Sequence, residues 1–168
     1  MISTYLRYIL LFIFSILVQV LILDNIYITG YVNIFIYVLF ILMLPIETNK
    51  FLLLALAFIL GFTIDIFNST PGLHASATVL LAYLRPFVLT IYSSRDGYET
   101  NKAPGIRTYG FYWFIRYAIT LIFAHHLLLF FLEVFTFSHM FLTLLKVILS
   151  SFATLFFVIL GNLLFSKE

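Results

Sequence analysis

An all-α membrane protein is the fold class this sequence predicts: a six-helix transmembrane bundle in one domain over residues 1–168. Three observations lead there. The chain is 64% hydrophobic and only 10% charged, where a soluble domain carries about a quarter charged residues. Its mean hydropathy is +1.15 over 168 residues, more apolar surface than one core of that size can hide. The apolar residues also fall into runs near the roughly 20 residues needed to cross a bilayer, separated by short polar connectors. Other classes are excluded. A net charge of +2 without a basic run leaves no nucleic-acid surface. With no cysteine, disulfide and thiolate chemistry are out of reach.

The expected spans are about Leu6–Leu23, Tyr31–Ile46, Phe51–Phe67, Leu73–Tyr92, Tyr109–Phe135 and Met140–Phe165. Arg7 precedes the first apolar run. That run is too long for a signal-peptide core and no small-x-small site follows it, so it reads as an uncleaved helix. The second span is short for a helix, which implies little tilt or a locally thinned bilayer. The connectors are Asp24–Gly30, Glu47–Lys50, Asn68–Gly72, Ser93–Thr108 and Thr136–His139. The longest is too short to fold alone.

Basic residues give the orientation. With the N-terminus in the cytoplasm, Arg7, Lys50, Arg95, Lys102, Arg107 and Lys167 fall at or near the cytoplasmic side, and the three outer connectors carry no Lys or Arg. Both termini are therefore expected inside. Tyr109, Tyr112, Trp113 and Tyr117, beside Arg107 and Arg116, read as a cytoplasmic aromatic belt.

Polar residues within spans are costly and single out positions. Ala57, Gly61 and Asp65 recur every four residues on one face of the third span. Ser150, Thr154 and Gly161 make a similar stripe in the sixth, and Ala75, Thr78 and Ala82 in the fourth. Small faces let helices approach, so these three spans are expected to pack together. Asp65 has two readings: a recognition carboxylate, or a cap for the Asn68–Gly72 turn. Pro71-Gly72 supplies a turn and starts the next helix, and His74 could line the same mouth. Arg85, before the helix-kinking Pro86, either snorkels to the cytoplasmic surface or satisfies a buried acid or freed backbone. Glu133 and Lys146 are expected to pair across the last two spans, the alternative being that Lys146 snorkels to the headgroups. His125 and His126 stand about 100° apart on a helix and do not face one site. No metal-ligand spacing and no Gly-flanked intramembrane serine occur. The expectation is no enzyme, no cofactor and no metal.

The run Gly61-x-x-x-Asp65, a short polar turn, Gly72, the small residues Ala75 and Ala77, and the aromatic Tyr83 resemble the signature of the bacterial rod shape-determining protein MreD family. The length, six spans, short outer loops and small basic tail resemble it too. The resemblance implies a non-enzymatic scaffold of the cell-elongation (peptidoglycan synthesis) machinery in the bacterial inner membrane. It implies as partners an MreC-like periplasmic single-span protein and the peptidoglycan polymerase and transpeptidase of elongation. It implies a fold similar to the substrate-binding subunits of energy-coupling-factor vitamin transporters. The residues it marks for partner recognition are Gly61, Asp65, Pro71, Gly72 and His74. The competing expectation is a substrate-binding membrane subunit of such a transporter, with an outer mouth drawn from Asp24, Asn25, Thr29, Asn68, Ser69, Thr70, His74, Glu133 and His139.

Overall fold

In lipid a backbone has no partner but itself, so long apolar runs propagate as helix. The computed structural model describes residues 2–26, 30, 32–93, 97–99, 102–135 and 140–165. The helices are α1 (Ile2–Leu21), α2 (Val38–Met43), α3 (Lys50–Asn68), α4 (Leu73–Ile91), α5 (Ile106–Tyr109), α6 (Phe111–Val134) and α7 (Met140–Phe165), with a 3-10 turn at Leu23–Asn25. No strand occurs among the described residues. Among the described residues five helices are long and apolar enough to cross a membrane: α1, α3, α4, α6 and α7. The chain is an all-α, multi-pass membrane protein. Tyr31, Arg95, the Thr136–His139 connector and Lys167 lie outside the described residues.

Local chemistry sets the ends. The Asn49 side chain accepts from the Phe51 backbone N–H at 2.9 Å and starts α3. Ser69, left-handed at φ 55°, stops it. Gly110, at φ 88°, separates α5 from α6. The long helix of the fifth run thus starts at Phe111, and Tyr109 closes the short α5.

The second run departs from expectation. Instead of a helix over Tyr31–Ile46, only Val38–Met43 is helical, and the backbone ahead of it runs without helical hydrogen bonding. Residues 34–44 are all buried, so this segment is the innermost part of the fold. Non-helical backbone is tolerated at membrane depth only where protein satisfies it. Here side chains of two neighbouring helices do so. Ser150 Oγ accepts from the Asn33 N–H and Thr154 Oγ1 from the Phe35 N–H, both at 3.0 Å. Gln19 accepts from the Ile36 N–H at 2.9 Å and donates to the Ile34 carbonyl at 3.0 Å.

That arrangement corrects the expected packing of the small-residue stripes. α3 and α4 do pack together, but α7 packs on α6 and on α2. Ser150 and Thr154 receive the non-helical strand of chain, and Gly161 lies against Leu39. The stripe accommodates non-helical backbone at Ser150 and Thr154 and the Leu39 side chain of α2 at Gly161.

The aromatic belt is corrected in part. Tyr112 is exposed, and Trp113 donates to the Tyr92 carbonyl at 2.9 Å. Tyr117 is fully buried and donates to the Leu42 carbonyl at 3.0 Å. Arg85 does not snorkel. It is 1% exposed, accepted by Tyr117 Oη at 2.9 Å, the Pro45 carbonyl at 3.3 Å and the Leu44 carbonyl. Its partner is backbone, at the end of α2, where the carbonyls of a helix terminus are otherwise orphaned.

Candidate functional site

The turn between α3 and α4 is built from Thr70-Pro71-Gly72-Leu73. The Leu73 N–H donates to the Thr70 carbonyl at 3.2 Å, and Gly72 sits at φ 86°, ψ −8°. These are the features of a type II turn, with proline first and glycine in the position that needs positive φ. Pro71 and Gly72 are exposed.

Asp65 lies under this turn, 2% exposed. Its Oδ1 accepts from Thr70 Oγ1 at 3.0 Å and the His74 N–H at 2.9 Å. Its Oδ2 accepts from the Gly72 N–H at 3.1 Å and the Ala75 N–H at 2.9 Å. Four donors occupy the four lone-pair sites of a carboxylate. The charge also faces the positive end of α4. Asp65, on one helix, thus caps the next. The capping reading is the one the geometry supports, and no acceptor site remains for a partner's cation.

Gly61 stands one turn earlier. A Cβ there would come within 2.6 Å of Ala75 Cα and of the His74 carbonyl oxygen. The two backbones touch, which only glycine permits, and this contact holds Asp65 within reach of the α4 terminus.

His74 adds a second connection. Its backbone N–H binds Asp65, and its Nδ1 lies 2.9 Å from the Tyr37 hydroxyl. That hydroxyl lies 2.8 Å from His125 Nε2, whose Nδ1 is buried with no partner. A buried N–H without an acceptor costs more than a lone pair without a donor. His125 therefore carries its proton on Nε2 and donates to Tyr37, which donates to His74 Nδ1. The His74 proton is then on Nε2. His126 turns away, as adjacent helical residues do, to the Ile122 carbonyl at 2.8 Å and Thr154 Oγ1 at 3.1 Å. Among the described residues no three His, Cys, Asp or Glu side chains come together to hold a metal ion.

A cavity of about 460 Å³ opens at this end of the bundle. Asp24, Asn68, Thr70, His74, Glu133 and Lys146 line it. Asp24 accepts from Gln19 at 2.7 Å and from Asn68 at 3.1 Å. Lys146 and Glu133 pair at 2.9 Å, as expected of charges on the last two spans, and the Lys146 ammonium lies 4.5 Å from the centre of the Phe130 ring.

Of the five residues the sequence marked, Gly61, Asp65, Gly72 and His74 meet at one helix contact, while Pro71 only shapes the turn. Sequence reasoning missed Gln19, Tyr37 and Asn162. Asn162 is fully buried and accepts from the Ile106 N–H at 3.0 Å. Gln19 and Asn162 carried a signal, each being a lone amide in an apolar run. Tyr37 carried none. No protein-family model, curated protein or solved structure matches the chain, so the likeness to the MreD family rests on the motif residues together with the layout of spans and loops in the sequence.

Proposed function

We propose that the chain is a non-enzymatic scaffold of the bacterial cell-elongation machinery. One observation carries the reading: Gly61, Asp65, Gly72 and Ala75, the residues of the MreD-like signature, converge on a single contact that fixes the α3–α4 hairpin. A hairpin held this firmly offers partners a constant surface, with the exposed Pro71-Gly72 turn at its tip. The proposed partners are an MreC-like single-span protein and the elongation polymerase and transpeptidase. Residues 32–46 make the sixth crossing as a broken segment. In support, Asn33 is held by α7 at one end and the Ile46 N–H donates to the Lys102 carbonyl at the other, 3.2 Å away.

The protein sits in the inner membrane with both termini cytoplasmic, on the distribution of Lys and Arg. A reporter fused at Lys102 should read cytoplasmic and one at Ser69 periplasmic. A cytoplasmic Ser69 fusion would reverse the orientation.

The cavity favours a second reading, a substrate-binding subunit of a vitamin transporter, because several polar groups converge in it. Affinity purification from mildly solubilised membranes separates the two. The scaffold reading expects an MreC-like protein and the elongation synthases in the eluate. An ATPase module with its membrane coupler in their place would favour the transporter reading.

A further inference from the structure

The cavity at the α3–α4 end has an imbalance of charge that its own residues do not resolve. Three ionisable side chains line it besides His74. Lys146 and Glu133 neutralise each other at 2.9 Å. Among the described residues no cation pairs with Asp24. Its hydrogen-bond partners are the neutral amides of Gln19 and Asn68, one on each carboxylate oxygen. Each carboxylate oxygen accepts about two bonds, so acceptor capacity remains on both. Among the described residues lining the cavity, Asp24 is thus the one acidic group without a basic partner, in a half-buried place where water screens a charge weakly.

The opposite character comes from His74. It is 95% buried, being 5% exposed, and lines the same cavity. Its Nδ1 is taken by Tyr37, and the tautomer fixed by that chain puts a proton on Nε2. No hydrogen bond joins Nε2 to a described residue, and His74 is one of the residues lining the cavity. The Tyr37–His125 pair behind it holds the ring in place and keeps it a donor.

We infer that this cavity binds a small primary amine bearing a neighbouring oxygen acceptor, with the ammonium on Asp24 and the oxygen facing His74 Nε2. A volume of about 460 Å³ suits a small molecule or a single headgroup. Two sources offer that chemistry: the ethanolamine headgroup of a lipid, and a free amino alcohol or aminoacyl compound. The inference rests on the cavity and stands whether the chain serves as scaffold or as transport subunit.

The test uses the full-length protein in phosphatidylglycerol nanodiscs, titrated with ethanolamine and separately with propanol, its neutral analogue. Saturation-transfer NMR reads binding, and thermal unfolding confirms the fold of each variant. Saturable binding of ethanolamine and none of propanol is expected. Asp24→Asn should weaken it at least about tenfold. Asn68→Lys gives the same loss by a different route, since its ammonium occupies Asp24 while keeping a donor to it. The double variant Glu133→Gln with Lys146→Met leaves the net charge of the cavity unchanged and should retain binding. In nanodiscs that add phosphatidylethanolamine, native mass spectrometry finds that lipid retained, and ethanolamine displaced, if the headgroup is the source. With a free amine as the source, ethanolamine binding is unaffected by that lipid. Equal response to ethanolamine and propanol, or unchanged ethanolamine affinity in folded Asp24→Asn and Asn68→Lys, overturns the inference.

Discussion

Asp65→Asn is expected to cost about 3 kcal/mol of stability, although it keeps the shape of the side chain. An amide has one acceptor oxygen where the carboxylate has two. Four donors converge on Asp65, two on each oxygen. The asparagine oxygen can serve the Gly72 and Ala75 N–H pair, and its NH₂ group then faces the Thr70 hydroxyl, which can turn to accept, and the His74 N–H, which is left unpaired. Each buried donor left unpaired costs about 1–3 kcal/mol. The start of α4 should fray, and the hairpin contact at Gly61 should loosen with it. Thermal unfolding in detergent, with hydrogen exchange at His74 and Ala75, measures both. Wild-type stability and protection in Asp65→Asn would mean the four-bond cap is not what holds the turn.

Arg85→Leu is the other large effect, for a different reason. The guanidinium ties α4 to the end of α2 through the Leu44 and Pro45 carbonyls and to α6 through Tyr117. Leucine fills much of the space and removes the donors, leaving the Leu44 carbonyl unpaired, while the Pro45 carbonyl keeps Thr48 and the Tyr117 hydroxyl keeps the Leu42 carbonyl. Relief from burying a charge recovers part of the loss, and a net destabilisation of about 2 kcal/mol is expected. Arg85→Lys should recover only part of it, because an ammonium lacks the planar fork that reaches several acceptors at once. The readout is unfolding temperature together with protease cleavage near Pro45. Unchanged values in Arg85→Leu would show that α2 is held by packing alone.

Much of the fold was legible because lipid makes the rules strict. Five long runs became long helices where apolar length and a sequence poor in charge demanded it. Asp65 was visible as a carboxylate at a helix end before a Pro-Gly turn, and the Lys146–Glu133 pair as two charges on spans joined by a short connector. The second run misled because it is apolar at nearly every position. Uniform apolarity marks burial on all sides and says nothing of helical phase. What unwinds the backbone there is the set of acceptors and donors on Gln19, Ser150 and Thr154, residues that meet it from elsewhere in the chain. Arg85 misled for a related reason: its partners are carbonyls, which every residue has and no sequence pattern announces.

A scaffold of the elongation machinery is needed for rod shape, so cell shape under depletion reads the assignment. In a rod-shaped host carrying this protein under a repressible promoter, depletion should round or swell the cells while vitamin uptake stays at its starting rate. Cells that keep their rod shape through depletion, with uptake impaired, would contradict the account.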